Sequence, residues 1–446
     1  MSNSLSEKFW THLLSNDLED VFCQDDERIW TYKDLQKQIS EYEMASAFAQ
    51  ILPYDPVIII SDFQFNSVAL LFVLLQRRCV VTILRSSERG NVKDLLIQNQ
   101  ILYSILLIEG KWEVETHQPK LLVNKLYSLL KQRQHAGLVL FTSGTTGIPK
   151  AVVHDFEIFL LHFQKNFRKN RILFVLPWDQ IGGIFILFRA VKSRSALITC
   201  DNKDIHLIPQ RIQKFQITFF PATPSLLAMF AISQPWLNTD LTTLKVIVYG
   251  SERPNIRLIN KLQHLLPNVK FRQAYGSTET GLMISEADTD PAMIRIDDPN
   301  ISIDATGSTL KIKSIMKAVG HIAGNEVQVY SEWFDTRDRF TSIGSKMIIH
   351  GRQNEQFNIS GRKVVPEEVF EVLTSIPGVL DVRITSEKNL LSGEAIVAEF
   401  LLEKPEEDES FRKRVRKFCD KHLDAYKIPS RITIAKTVLF TKSLKK

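Results

Sequence analysis

Ten consecutive residues, Phe141-Thr142-Ser143-Gly144-Thr145-Thr146-Gly147-Ile148-Pro149-Lys150, hold two glycines, four hydroxyl side chains and one lysine. Glycines let main-chain N–H groups approach a ligand, hydroxyls donate to phosphate oxygens, and a lysine offsets their charge. Gripping a polyphosphate is the chemistry such a loop can do. A polar turn ahead of a helix has the same composition, so composition alone does not decide between the two. The Walker loop is excluded, because Gly147-Ile148-Pro149 intervenes before Lys150 where that loop needs an adjacent Gly-Lys pair.

The order Thr-Ser-Gly-Thr-Thr-Gly-x-Pro-Lys resembles the phosphate loop of the adenylate-forming (AMP-binding) superfamily, which includes acyl-CoA and aryl-CoA ligases, peptide-synthetase adenylation domains and luciferases. Further segments resemble the same family in the same order, beginning with Trp30-Thr31-Tyr32-Lys33-Asp34-Leu35. Tyr275-Gly276-Ser277-Thr278-Glu279-Thr280 is similar to its second signature, which implies Thr278 at the α-phosphate and Glu279 as a Mg²⁺ ligand. A carboxylate beside phosphates requires such a cation, and Mg²⁺ prefers one or two carboxylates plus phosphate oxygens. Tyr249-Gly250-Ser251-Glu252 resembles the adenine-side segment, and Trp333-Phe334-Asp335-Thr336-Arg337-Asp338 the segment whose aspartate accepts the ribose hydroxyls. Arg337 stands where the family usually has glycine, so the turn before Asp338 is expected to differ in shape.

Gly351-Arg352-Gln353-Asn354 corresponds to the family's hinge, with Arg352 on the nucleotide side and Asn354 as the pivot. The resemblance places Gly361, within Ser360-Gly361-Arg362-Lys363, beside the arm of the incoming thiol. Near the end, Thr441-Lys442-Ser443-Leu444-Lys445-Lys446 can be laid on the terminal motif whose lysine reaches the reacting carboxylate. Lys445 keeps its spacing and Lys446 is the alternative. An acid pocket is implied along Trp178, Asp179, Gln180, Gly182 and Gly183, with Ala222, Thr223 and Pro224 opposite.

The resemblance therefore implies an acid–thiol ligase that uses ATP and Mg²⁺. A carboxylic acid, whether aryl, aliphatic or β-keto, becomes an acyl-AMP and passes to the thiol of coenzyme A or of a phosphopantetheine. Loading of an acyl carrier protein and amide formation are the alternative outcomes. A catalytically reduced binding relative, suggested by Arg337 and Leu444, is the alternative from another class.

The elements that must position these residues are legible in the patterning. Apolar runs at Val57–Ile60, 80–84, 138–141, 172–176, 217–220 and 246–249 read as buried strands of mainly parallel sheets. From Asp155, residues Phe156, Phe159, Leu160, Phe163 and Phe167 share one helical face, with Asp155 at the cap. Short alternating segments from Ile301 to Tyr330 suggest a small β-rich subdomain. The expected fold class is α/β: a large N-terminal domain over residues 1–352, then a small mobile α+β domain over 355–446, hinged near Asn354.

At 446 residues, with 44% hydrophobic and 24% charged side chains, the chain exceeds what one core holds. A net charge of +6 is too small to signal nucleic-acid binding. Its four cysteines form no Cys-x-x-Cys pair, which argues against zinc and a disulfide framework. The longest apolar run, Val68 to Leu75, ends at Gln76-Arg77-Arg78, too short to span a bilayer. The N-terminus lacks a secretory pattern, so a cytoplasmic protein without a membrane span is expected.

Overall fold

The computed structural model describes the chain apart from residues 1–3, 16–17, 88–91, 109–110, 119–123, 143–148, 200–206, 286–289, 292, 297, 354–355, 390–392 and 436–446. Each of the six apolar runs contributes to a strand, although 175–176 and 217–218 lie just outside theirs, as β-branched sequences buried on both faces should. They belong to two eight-stranded sheets.

In the first sheet, Lys270–Ser277, Val246–Gly250, Phe219–Ala222, Arg171–Phe174, Ala196–Thr199 and Val21–Gln24 run parallel in that spatial order. Antiparallel strands Gly281–Ile284 and Ile29–Thr31 close its edges. The second sheet is parallel only through Gly137–Thr142, Val80–Leu84, Pro56–Ile60 and Tyr103–Ile108. Its margins are antiparallel because Gly137–Thr142 returns directly as Lys150–Asp155 across the polar loop.

Helices Phe65–Gln76 and Ile181–Ser193 share one core with residues from both sheets. That sandwich explains the run Val68 to Leu75: every residue in it is buried, as a helix apolar on all sides must be. No helix among the described residues is long and apolar enough to cross a membrane. Asp155 caps the Phe-rich segment by accepting from Glu157 N–H at 3.2 Å. The α-helix there stops at Phe159 and tightens into a 3₁₀ turn over Leu160–Phe163. Cys23, Cys79 and Cys419 are free and buried.

Of the segment expected to form a small β-rich unit, Lys311–Ser314 lies between Ile301–Asp304 and Trp333–Asp335 in a three-stranded sheet. Gly320–Ala323 and Glu326–Val329 instead extend the second sheet by covering the edge of Lys150–Asp155, which leaves that edge's N–H and C=O groups paired.

From Phe357 onward a separate core forms around Val364, Leu373, Phe400, Phe411 and Val415. Helix Asp408–His422 carries the basic cluster, with Lys413 paired to Glu409 at 2.7 Å and Arg414 to Glu406 at 2.6 Å. This unit docks on the first sheet's outer helices. Arg253 meets Glu371 at 2.5 Å, Lys261 meets Glu403 at 2.6 Å, and Asn255 Nδ2 donates to the Leu380 carbonyl at 2.9 Å.

Asp381 sits in this junction. Burial raises its carboxyl to about 7; the Val382 N–H opposes that shift and Glu252 adds to it. The folded chain thus holds a proton that the unfolded chain has released between pH about 4 and about 7. Its contribution to stability therefore declines as pH rises through that window and is constant above it. In urea titrations, Asp381→Asn is expected to lack this decline. An unchanged pH dependence in the variant would remove Asp381 as the cause.

Candidate active site

Thr142 and Lys150 face each other as cross-strand partners at the mouth of the hairpin. Ser143, Gly144, Thr145, Thr146 and Gly147 lie outside the described residues. The neighbouring strand pairs His321 with Val152, and His321 Nδ1 lies 2.9 Å from the Tyr330 hydroxyl. Burial is the main cause lowering the His321 pKa; Lys150 adds to it and Glu279 opposes it. Burial and then Glu279 raise that of Tyr330. Lys150 and Glu279, read separately from the sequence, therefore converge on one His–Tyr pair.

Glu279 and Thr278 occupy the turn between Lys270–Ser277 and Gly281–Ile284. Ser277 N–H donates to Thr280 Oγ1 at 3.1 Å, and Ala318 N–H to the Glu279 carbonyl at 2.8 Å. Gly276 has φ +146°, and a Cβ there would collide with the Gly281 carbonyl, so this position demands glycine. His162 packs against Gly281, and the Thr278 main chain opposes the fall in the pKa of the buried His154 ring. Burial lowers these histidines to about 4 and about 3 respectively. Both are therefore neutral props beneath the turn. Sequence reasoning passed over them because each lies among apolar neighbours and reads as core.

On the nucleoside side, Tyr275 Oη donates to Asp338 Oδ2 at 2.6 Å, and Arg352 Nε lies 3.7 Å from Asp338 Oδ1. Burial raises the Asp338 pKa, while Tyr275 and Arg352 act against it. Arg337 adopts φ +61°. The turn therefore holds Arg337 in the left-handed conformation that a glycine adopts without strain. Asp335 Oδ1 accepts from the Arg337 N–H at 2.8 Å, and the Arg337 carbonyl accepts from Gln353 N–H at 2.7 Å. A left-handed non-glycine residue costs about 1–2 kcal/mol. Arg337→Gly, which relieves this but loosens the unfolded chain, is expected to stabilise by about 0.5–1 kcal/mol. A thermal melt reads this, and a lower melting temperature would contradict it.

Gly250 ends its strand against the Ala274 carbonyl, and Ser251 follows at φ +71°. Glu252 Oε2 accepts from Ser225 N–H at 3.1 Å and Ser225 Oγ at 2.6 Å. This ties the segment 249–252 to helix Pro224–Ile232, which Thr223 caps through Leu226 N–H at 3.1 Å. Ala222 is buried at the end of the adjacent strand.

On the acid side, Trp178 is 1% exposed and donates its indole N–H to the Ser61 carbonyl at 2.9 Å. It faces the core between the sheets. Asp179 is buried and held by Arg85 Nε at 2.7 Å, so its charge is already balanced. Gln180 precedes helix Ile181–Ser193 without capping it. Gly182 and Gly183 form its first turn, Gly183 tight against the Pro177 carbonyl.

Gly361 lies at φ +79° after Ser360 at φ +51°, the two-residue turn between Phe357–Ile359 and Arg362–Val364. Asn354, Lys445 and Lys446 lie outside the described residues. Among the described residues, no three His, Cys, Asp or Glu side chains form a metal cluster.

A family model described as AMP-binding enzyme matches residues 78–313, more than half of the chain. The chain is 26% identical over 328 residues to 4-coumarate-CoA ligase 1 of Narcissus pseudonarcissus, covering 64% of this chain and 59% of that protein. The match thus spans about three-fifths of that relative's length. Two solved structures share the fold over the whole chain. The anthranilate CoA ligase AuaEII in complex with anthranoyl-AMP has TM-score 0.77 and 14% identity, covering 100% of this chain and 95% of that one. A point variant of E. coli MenE with bound OSB-AMS has TM-score 0.75 and 17% identity, covering 100% and 98%. With more than half of its length matched by that family model, the chain belongs to the AMP-binding enzyme family.

Proposed function

We propose that the protein activates a carboxylic acid with ATP, as an acyl-AMP, and transfers the acyl group to the thiol of coenzyme A. One observation carries this reading. A single hairpin bears Tyr275, fastened to Asp338, and four residues later Glu279, whose charge and that of Lys150 both act on His321, so one element can serve both ends of a nucleotide. The named functions of the curated relative and of the solved anthranilate ligase support it.

A carboxylate is a poor acyl donor because its leaving group would be oxide. Attack of its oxygen on the α-phosphorus forms the phosphate ester and expels pyrophosphate, a step governed by positioning and electrostatics. Asp338 accepts the ribose hydroxyls, Gly250 and Ser251 present main chain to the base, and Thr278 donates to the α-phosphate. Thr142 through Lys150 hold the β- and γ-phosphates, and Lys445 spans the carboxylate and α-phosphate. Glu279 would hold Mg²⁺ as a lone carboxylate beside the phosphates, which that ion accepts, and the ion would neutralise phosphate charge. The C-terminal unit then turns about Asn354, withdrawing Lys445 and bringing the Gly361 turn to the site, as a short hinge allows.

With Asp179 held by Arg85, no acidic side chain of the proposed pocket is free to grip an ammonium group, which favours aryl, aliphatic or β-keto acids. The test supplies CoA, a holo-carrier protein or an amine separately, with ATP, Mg²⁺ and a panel of acids. Acyl-CoA and AMP are the expected products. ADP as product would contradict adenylation, and acylation of the carrier or amine alone would replace CoA as acceptor.

A further inference from the structure

Strand Gly320–Ala323 lies against Lys150–Asp155, with His321 opposite Val152. Side chains alternate along a strand, so Lys150 and Val152 share one face, and their cross-strand partners share it too. Thr142, the partner of Lys150, therefore stands on the same face as His321. That face opens along its length. Val152 and His154 are buried, whereas Thr142, Lys150 and His321 are only partly covered. His321 is the diagonal neighbour of Lys150, a relation that sets side chains about 7–8 Å apart.

The segment leading into this strand is fixed from two sides. Ala318 N–H donates to the Glu279 carbonyl at 2.8 Å, and Val319 N–H donates to the Val153 carbonyl at 2.9 Å. His321 follows in the same segment, and the charges of Lys150 and Glu279 both act on its ring. Tyr330 holds that ring. Its N–H donates to the Val319 carbonyl at 3.0 Å, its own ring meets Phe334 edge-on at 5.0 Å, and its hydroxyl lies 2.9 Å from His321 Nδ1.

A phenol keeps its proton at neutral pH, and donating it to Nδ1 leaves the imidazole with its own proton on Nε2, the other ring nitrogen. The reverse arrangement would make Nε2 an acceptor. Phosphate oxygens call for donors and Mg²⁺ prefers oxygen ligands, so an acceptor nitrogen would serve neither. A pair that merely packs at a strand end is the plain alternative. The position between Lys150 and Glu279 favours a ligand, because these are the groups assigned to the phosphates and their cation.

We propose that His321, held in one tautomer by Tyr330, donates its Nε2 proton to the β,γ-phosphate portion of the nucleotide, and so to the pyrophosphate that leaves. This deepens the acid-activation reading and rests on it for the identity of the leaving group; recognition of the phosphates themselves requires no acid.

Calorimetric titration of the full chain with magnesium pyrophosphate and, separately, with AMP tests it. His321→Ala is expected to weaken pyrophosphate binding about tenfold or more, the loss of one hydrogen bond to a charged group, and to leave AMP binding unchanged. His321→Gln, whose amide nitrogen takes the place of Nε2, is expected to recover most of that loss, and the shorter His321→Asn is not. Tyr330→Phe, which releases the tautomer, should weaken pyrophosphate binding by less than His321→Ala does and also spare AMP. A purely structural pair would weaken both ligands together. Equal losses for AMP and pyrophosphate, unaltered pyrophosphate binding in His321→Ala, or no pyrophosphate binding by the wild-type chain overturns the proposal. If His321→Ala melts early, the two amide variants decide: equal affinity of His321→Gln and His321→Asn for pyrophosphate contradicts the contact. Titration needs neither acid nor turnover, so failure of pyrophosphate exchange with every acid counts against acid activation and leaves His321 to be judged by binding.

Discussion

Asp338→Ala is expected to lower kcat/KM for ATP by about a hundredfold or more. The carboxylate is held by the Tyr275 hydroxyl at 2.6 Å and by Arg352 at 3.7 Å, so it is oriented before the nucleotide arrives. Hydrogen bonds to a charged group contribute about 1.5–3 kcal/mol each. Loss of two ribose contacts therefore amounts to about 3 kcal/mol or more, at 1.36 kcal/mol per tenfold. Asp338→Asn keeps the shape and one acceptor, and an intermediate loss is expected. Tyr275→Phe removes only the orienting bond and should cost less than either. Initial rates against ATP concentration read all three. An Asp338→Ala enzyme with unaltered ATP dependence would mean that the nucleoside binds elsewhere.

Lys445→Ala is expected to slow acyl-AMP formation by about 10²–10³-fold, the usual effect of removing one charge-stabilising donor. Thioester formation from supplied acyl-AMP should be nearly unchanged if, as proposed, the turn of the C-terminal unit withdraws the lysine. Lys446→Ala serves as the control and is expected to retain both steps. Separate assays of the two half-reactions check this. Equal loss of both in Lys445→Ala would contradict a lysine dedicated to the first step, and loss in Lys446→Ala alone would move the role one residue along.

The strands were legible because β-branched runs such as Val57–Ile60 and 246–249 can be buried on both faces only inside a sheet. Pairing was less legible. Strand direction depends on the connection, and nothing local in Val152 or Val153 says that the chain returns antiparallel beside Gly137–Thr142. The same limit hid the attachment of Gly320–Ala323 to that sheet, which is a non-local pairing.

At the candidate site, Glu279, Asp338 and Lys150 were legible as chemical groups in recognisable order. The side chains around the site were not, because His154 and His162 sit beneath the 278–281 turn, and Ser225 holds Glu252, through contacts far along the chain. Arg337 gives the opposite lesson. Its residue type argued for a changed turn, yet the surrounding hydrogen bonds impose φ +61° on it. Trp178 looked like a pocket wall by position, but its indole is committed to Ser61 inside the core. Asp179 was placed along the same pocket, and Arg85 already holds its carboxylate.

The central claim is that the loop from Thr142 to Lys150 grips a triphosphate while Glu279 presents magnesium to it. Exchange of labelled pyrophosphate into ATP, measured without any thiol, tests it most directly. Exchange that depends on both an added acid and Mg²⁺, and that falls in Glu279→Gln and Lys150→Gln, is the predicted result. No exchange with any of a broad panel of acids, in protein that also fails to bind ATP with Mg²⁺, would contradict it.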